Sequence, residues 1–74
     1  MATRKNKHFW AHEYTVTKID PLLNRVEVAV VIGSRDASAK QEEFEDAGFF
    51  AIVLNNTTKE EEYRTPGSED YEHA

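Results

Sequence analysis

The feature that most constrains the fold is a segment of strict two-residue alternation that runs from Arg25 to Ile32. One of its two faces is entirely apolar and consists of Val26, Val28, Val30 and Ile32. The other face starts with the charged Arg25 and Glu27 and ends with Ala29 and Val31. Alternation of β-branched side chains is typical of a strand that buries at least one face. The segment is therefore predicted to be a strand of a small sheet.

Two other segments also have the character of strands. The segment Phe9 to Ile19 is rich in aromatic and β-branched residues, and Phe49 to Leu54 is a short, mostly apolar run. Between the first two strands stands Asp20-Pro21, which marks a turn because proline fixes its own φ and has no N–H to give to a ladder. The chain is therefore predicted to contain three strands.

A single helix is predicted between the second and third strands, from about Ala37 to Ala47. Ser38 and Gln41 have the spacing of a capping box, and Gly48 stands where a glycine often follows the end of a helix. Three residues are candidates for the N-cap: Ser34, Asp36 and Ser38. Phe44 is the one large residue on the apolar side of this helix, so the helix can cover only one face of the sheet.

The order strand-strand-helix-strand predicts an α+β fold, in which a three-stranded β-sheet has one helix packed on one face (ββαβ). Two strand orders satisfy this pattern. With the first strand in the centre, all pairs are antiparallel. With the second in the centre, it pairs in parallel with the third through a right-handed crossover. The apolar character of the second strand slightly favours the latter order, because central strands are the more apolar.

The 74 residues are enough for one small domain. Residues 1–7 are expected to form a disordered basic arm, residues 8–55 the ββαβ domain, and residues 56–74 a flexible acidic tail, with at most one helical turn near Thr58 to Tyr63. The absence of cysteine excludes a disulfide and a cysteine-ligated zinc. Since neither a signal peptide nor a membrane-length apolar run is visible, we expect a cytoplasmic protein with no membrane contact.

Charge is distributed unevenly along the chain, whose net charge is −5. Residues 1–33 hold five Lys/Arg and three Asp/Glu, whereas residues 34–74 hold four Lys/Arg and eleven Asp/Glu. An acidic surface repels nucleic-acid phosphates and attracts basic partners, whose encounter it accelerates and orients. The excess of acid therefore predicts a protein partner with a basic surface, with solubility alone as the simpler explanation.

Four carboxylates cluster within two turns of the predicted helix, and they are the candidate partner-binding residues: Glu42, Glu43, Glu45 and Asp46. Carboxylates spaced like phosphates can compete with DNA for a binding groove on another protein, because the same field attracts both. The chain could thus act as a DNA mimic. The alternative is a helix face that is simply solvated, which is the commoner role of such a charge run.

A second candidate surface follows from the limited reach of one short helix. We expect this helix to cover the Val26 face, together with Phe50, Ile52 and Leu54. The opposite face would then expose apolar residues, chiefly Phe9, Val31, Phe49 and Val53. Exposed apolar patches of a few hundred Å² usually mark an interface. Three occupants are open: a partner protein, a second copy that forms a homodimer, or the tail, through Tyr63 or Tyr71.

No catalytic or metal site is predicted. His8 and His12 lie four residues apart on a strand, about 13 Å from each other, which is too far for one metal ion. The serines at 34, 38 and 68 have no nearby histidine to activate them. The helix carboxylates are expected to be exposed, so burial would not tune them as acids or bases. We therefore expect a protein that is not an enzyme and needs no cofactor.

The basic arm is a weaker candidate for nucleic-acid contact. Arg4, Lys5 and Lys7 precede Phe9 and Trp10, a combination of charge and aromatic rings that single strands can use. Three cations are few against the acidity of the rest of the chain. Direct nucleic-acid binding through the arm is thus the least favoured alternative.

The layout resembles the small phage proteins that shut off host RNA polymerase. The resemblance covers residues 7–55, and its specific matches are Lys7-His8-Phe9-Trp10-Ala11 at the first strand and Ala47-Gly48-Phe49 at the last. One such polymerase inhibitor uses arginines on its last strand, where Val53 and Asn55 stand here. No inhibitory residue is therefore carried over.

What the resemblance implies is a class of function. It implies a phage-type protein that acts in the host cytoplasm, binds a host nucleic-acid-processing enzyme and inhibits it. Anti-CRISPR and anti-restriction proteins share the same small, acidic, cysteine-poor character, and the sequence does not separate these classes. The main alternative is a self-associating structural or assembly protein.

Overall fold

The structure, a computed structural model, describes residues 11–72 and contains four strands and one helix in that part of the chain. In chain order these are β1 (Glu13–Ile19), β2 (Arg25–Ile32), α1 (Ser34–Asp46), β3 (Phe50–Asn55) and β4 (Glu60–Arg64). The strands form one sheet in the order β2-β1-β3-β4, and every neighbouring pair is antiparallel. The prediction of an α+β fold is confirmed.

The centre of the sheet holds β1, and the slight preference for a central β2 is wrong. A tight turn makes β1 and β2 hairpin partners, since the Asp20 carboxylate accepts the N–H groups of Leu22 and Asn24, both at 2.9 Å. The chain then crosses through α1 and returns as β3 on the free side of β1. This route leaves the valine-rich β2 at an edge.

The prediction of three strands is also wrong, because residues 60–64 form a fourth strand, β4, paired with β3. These residues lie in the segment assigned to a flexible tail. Asn55 organises the turn that makes this pairing possible, since its side-chain oxygen accepts the N–H groups of Thr57 and Thr58 at 2.9 and 3.1 Å. Lys59 adopts a φ of 68°, which completes the reversal of the chain. Thr58 to Tyr63 therefore contains a strand instead of a helical turn.

The helix begins three residues earlier than expected, at Ser34. Its N-cap is Gly33, with a φ of 94°, and no side chain caps the helix. The three proposed polar caps, the Ser38–Gln41 capping box included, are therefore wrong. The glycine signal at the other end is confirmed, since Gly48 has a φ of 91° and donates its N–H to the Glu45 carbonyl at 3.0 Å.

The helix covers the face of the sheet opposite to the one predicted. Phe44 is 1% exposed and packs in a core with Tyr14, Val16, Ala37, Ala51 and Val53. Ala29 and Val31 of β2 border this core. The physical reason is that the small residues Ala29 and Ala51 leave room on this face for the Phe44 ring, whereas the other face carries branched or large residues at the equivalent positions.

The second face of the sheet is buried in its middle. Ile19 and Ile52 have no exposed surface, and Thr17 is 3% exposed. The chain beyond β4 approaches this face at Gly67, where a Cβ would lie 3.1 Å from the Phe50 ring. Arg64 holds the same segment through hydrogen bonds to the carbonyl oxygens of Ser68 and Tyr71. Much of the predicted acidic tail, as far as Tyr71, is thus held against the domain.

Candidate interaction surfaces

The four predicted acidic residues separate into one that faces the protein and three that face water. Glu45 accepts hydrogen bonds from the Tyr63 hydroxyl at 2.6 Å, from the Thr65 hydroxyl and from the Gln41 amide at 3.4 Å. Its carboxylate therefore joins the end of α1 to the end of β4. The expectation that Glu45 is exposed like its neighbours is wrong, whereas its role in partner binding stays a prediction. Glu42, Glu43 and Asp46 are exposed as predicted.

The hydrogen bonds of Glu45 also determine its ionisation. Partial burial opposes the charged form, but the bonds from Thr65, Tyr63 and Gln41 outweigh this effect and lower the pKa of the Glu45 carboxyl below its usual value. The same bond to Glu45, together with burial, raises the pKa of the Tyr63 hydroxyl. At neutral pH the junction is therefore a carboxylate bound by neutral donors.

The Glu45 junction directly bonds two elements that carry exposed acids. These acids are Glu42, Glu43 and Asp46 on α1, and Glu60, Glu61 and Glu62 on β4. We call these six residues the acidic side. Within residues 11–72, two ion pairs partly neutralise it: Lys40 with Glu43 at 3.1 Å, and Arg64 with Glu61 at 2.7 Å. The acidic side therefore keeps a net negative charge.

The apolar residues proposed as a partner or dimer face are not exposed in the way predicted. Val53 is 5% exposed and lies beneath α1, and Val31 packs against the same core. Phe49 is partly buried, with the Lys18 ammonium 4.3 Å from the centre of its ring. Phe9 lies outside the described residues. The prediction of an exposed face at Val31, Phe49 and Val53 is therefore wrong, because α1 covers it.

The exposed apolar surface lies instead on the other face of β2. Val26, Val28, Val30 and Ile32 are 49%, 44%, 60% and 54% exposed; we call these four residues the β2 patch. Sequence reasoning identified them as one face but assigned them to the core. The signal that sequence reasoning missed was side-chain size. Ala29 of β2 and Ala51 of β3 lie on the same face of the sheet, and their small side chains indicate where a helix can approach.

A polar cluster at the β1 start explains a histidine that the sequence left without a role. The amide nitrogen of Asn55, which is 1% exposed, lies 2.7 Å from the Glu62 carboxylate and 3.0 Å from His12 Nδ1. These contacts join β1, β3 and β4.

No group of three or more His, Cys, Asp or Glu in residues 11–72 is arranged to hold a metal ion. His8 and the basic residues of the arm lie outside the described part of the chain.

The comparisons with known proteins give this chain no relatives. No family model, no curated protein and no solved structure matches it. Within residues 11–72, no helix is long and apolar enough to cross a membrane. The function must therefore be argued from the surfaces themselves.

Proposed function

We propose that this chain is a non-enzymatic, phage-type binding protein whose acidic side contacts a basic surface of a host nucleic-acid-processing enzyme, such as RNA polymerase or a nuclease, and inhibits it. The observation that supports the proposal is the junction of Glu45 with Tyr63 and Thr65, because it bonds α1 to the end of β4. Two acidic clusters that are separate in sequence thus lie on elements held to each other.

The physical advantage of this surface is that its charges are held on paired backbone. Both α1 and β4 are regular elements, and the Glu45 bonds fix one against the other. Ordered charges of one sign steer an oppositely charged partner and set its orientation, and the effect weakens as salt screens it. Nucleic-acid-processing enzymes bind phosphates through Lys/Arg, so their grooves are suitable partners.

The direct test reverses charge on the acidic side. The triple variant Glu42→Lys, Glu43→Lys, Asp46→Lys is expected to lose inhibition of purified bacterial RNA polymerase in a transcription assay, or of a DNA-cleaving nuclease in a cleavage assay. Affinity for the inhibited enzyme should fall by more than about tenfold, which corresponds to about 1.4 kcal/mol. Inhibition that survives the triple reversal would show that the acidic side is not the binding surface.

A matched control comes from the same helix. Asp46→Lys and Asp36→Lys make the same change of charge at opposite ends of α1, and both aspartates are exposed. Only Asp46 belongs to the acidic side, so only its reversal should weaken binding. Equal losses from both variants would indicate a response to net charge alone.

A self-associating structural or assembly protein is the second candidate function, and the β2 patch is the observation that favours it. Its four half-exposed residues are consecutive on one strand face, and contiguous apolar surface of this kind usually marks an interface. This candidate does not depend on the acidic side.

A further inference from the structure

Among residues 11–72, no strand pairs with the outer edge of β2, and the residues that expose their side chains are those whose backbone groups point to this edge. Gly33 donates its N–H to the His12 carbonyl at 2.8 Å, and Glu13 pairs with Ile32 in the next position of the ladder. Because hydrogen-bonded positions alternate along an antiparallel pair, Val31 and Ala29 direct their backbone groups toward β1. The backbone groups of Val28, Val30 and Ile32 therefore point away from the sheet.

We propose that β2 pairs edge to edge with β2 of a second copy of this chain, in antiparallel orientation about a twofold axis at Ala29. This register sets Val28 opposite Val30 of the second copy, and Val26 opposite Ile32, so that all eight residues of the two β2 patches lie on one face. Val28 and Val30, whose backbone groups point outward, also oppose each other, as hydrogen bonding requires. The inference goes beyond the acidic-side proposal and does not depend on it.

The pattern of β2 favours a copy of itself over other occupants. A twofold interface uses the same surface twice, so it requires a self-complementary strand. Reversal about Ala29 sets valine against valine at positions 28 and 30, so apolar side chains meet apolar side chains. The two charged residues of β2, Arg25 and Glu27, lie at one end of the strand. They would face Gly33 and Val31 of the other copy, so no like charges meet.

The rest of the fold leaves room for this pairing. The helix contacts β3 and β1 more extensively than β2, so it lies away from the outer edge. The register irregularity of the β1–β2 pair is at Lys18/Ile19, toward the β2 start, which leaves Val28 to Ile32 regular. Natural sheets protect such edges with lysine, proline or bulges, and this part of β2 has none of these.

Edge pairing of two short strands buries less surface than the roughly 1,600 Å² of a standard interface, so the expected dissociation constant is about micromolar or weaker. Sedimentation of the full chain from about 1 µM to about 500 µM should therefore show a change from one to two copies. Val30→Lys should weaken the dimer by at least about tenfold, because it places two lysines at the pairing edge. A full chain that stays a monomer throughout would overturn the proposal.

Matched variants separate loss of pairing from loss of folding. Val30→Thr keeps the β-branched shape and also weakens the dimer, whereas Leu22→Lys adds the same charge at a turn residue that is 82% exposed and should leave it intact. Circular dichroism confirms that each variant folds. A dimer unaffected by both Val30 substitutions would contradict the proposed pairing.

Hydrogen exchange and cross-linking identify the occupant and the register. The amides of Val28, Val30 and Ile32 should become protected as protein concentration rises. The chain has no cysteine, so a cysteine introduced at position 29 has only its own copy as a disulfide partner. Ala29→Cys should form a disulfide dimer on oxidation, because the two copies of residue 29 face each other as a non-hydrogen-bonded pair with closely spaced Cα atoms. Protection of these amides that does not depend on protein concentration would indicate that another segment of the same chain pairs with β2. A dimer in which these amides stay unprotected would indicate that two copies pack through their sheet faces. Either result would overturn edge pairing.

Discussion

The two edge strands of the sheet, β4 and β2, differ in how they are protected from pairing with another chain. The β4 edge is five residues long and presents Glu60, Glu61 and Glu62, whereas the β2 edge is eight residues long and presents the β2 patch. A free edge is a template for pairing with another chain, and charge is a common protection against it. The charges of β4 therefore protect it from pairing with another strand, whereas the β2 patch lacks this protection.

The edges also differ in how they are attached. The β2 strand follows β1 through a five-residue turn held by one carboxylate, that of Asp20. The β4 strand is held by three polar side-chain contacts: Asn55 with Glu62, Tyr63 with Glu45, and Arg64 with the turn beyond it. The charged edge therefore depends on hydrogen bonds, which substitution can test.

The largest effect is expected from Asn55→Ala, which removes the centre of the β4 attachment. The Asn55 side chain is buried and accepts two backbone N–H groups in addition to its contacts with Glu62 and His12. Loss of a buried network of this kind should lower the free energy of unfolding by about 2–4 kcal/mol. Urea unfolding measures it.

The control for Asn55→Ala is Thr58→Ala in the same turn, where the backbone and not the side chain makes the bond to Asn55. Its effect should remain within about 0.5 kcal/mol. Exchange of the β4 amides should accelerate in Asn55→Ala while that of the β1–β2 pair changes less. Equal losses from the two alanine variants would mean that β4 does not depend on the Asn55 side chain.

A smaller loss is expected from Arg64→Ala. The Arg64 guanidinium binds both oxygens of Glu61, at 2.8 and 2.7 Å, and holds the Tyr71 carbonyl at 2.8 Å. This planar, bidentate geometry suits arginine and not lysine. The side chain is 19% exposed, so we expect a loss of about 1–2 kcal/mol in unfolding free energy.

Arg64→Lys tests whether charge alone suffices at this position. Lysine keeps the positive charge but cannot donate two parallel hydrogen bonds to the Glu61 carboxylate. It should therefore recover less than half of the unfolding free energy that Arg64→Ala loses. Limited proteolysis should also cut residues 65–72 faster in both variants. Full recovery by lysine would show that the fork geometry is unimportant.

The sequence indicated the elements but not their partners, and the two edges show why. Alternation in Arg25 to Ile32 predicts a strand correctly, yet it cannot say which face is covered or which strands lie beside it. The expectation of a central β2 treated apolar content as a sign of burial. Here that content is on an exposed face at an edge. Local periodicity reports local structure, whereas strand order depends on the path of the chain.

The fourth strand was missed for a related reason. Glu60-Glu61-Glu62 is polar and has little β-propensity, so composition alone favours a tail. Its position is determined by Asn55, which lies five residues before it and forms the turn through its side chain. The inward position of Glu45 was missed in the same way, because its donors Tyr63 and Thr65 lie 18 and 20 residues further along.

The pH dependence of stability tests the Glu45 junction, which attaches the end of β4 to α1. Because the pKa of Glu45 is lowered in the folded protein, its contribution is fully present above its unfolded-state value, near 4.3, and is lost as pH falls through the folded-state value. Glu45→Gln should therefore reduce stability at pH 7 by roughly 1 kcal/mol, because a charged acceptor is replaced by a neutral one. The difference should disappear in acid.

Thermal unfolding from pH 7 to pH 3 of the native chain and Glu45→Gln measures this convergence. Glu42→Gln is the matched control, since Glu42 is exposed on the same helix and should give a small difference at all pH values. A Glu45→Gln deficit that persists unchanged at pH 3 would show that the carboxylate charge does not contribute to the attachment of β4.

The smallest effects are expected at the two turns, where the edges are alike. Leu23 before β2 and Lys59 before β4 both have a positive φ, 67° and 68°, although neither is a glycine. This conformation is strained for residues with a Cβ and costs glycine little. Leu23→Gly and Lys59→Gly should therefore each raise the unfolding free energy by at most about 1 kcal/mol, partly offset by the greater freedom of glycine in the unfolded chain. If both substitutions raise the unfolding free energy equally, the two edges differ in their strands and not in their turns. If only Lys59→Gly raises it, the turns also contribute to the difference between the edges.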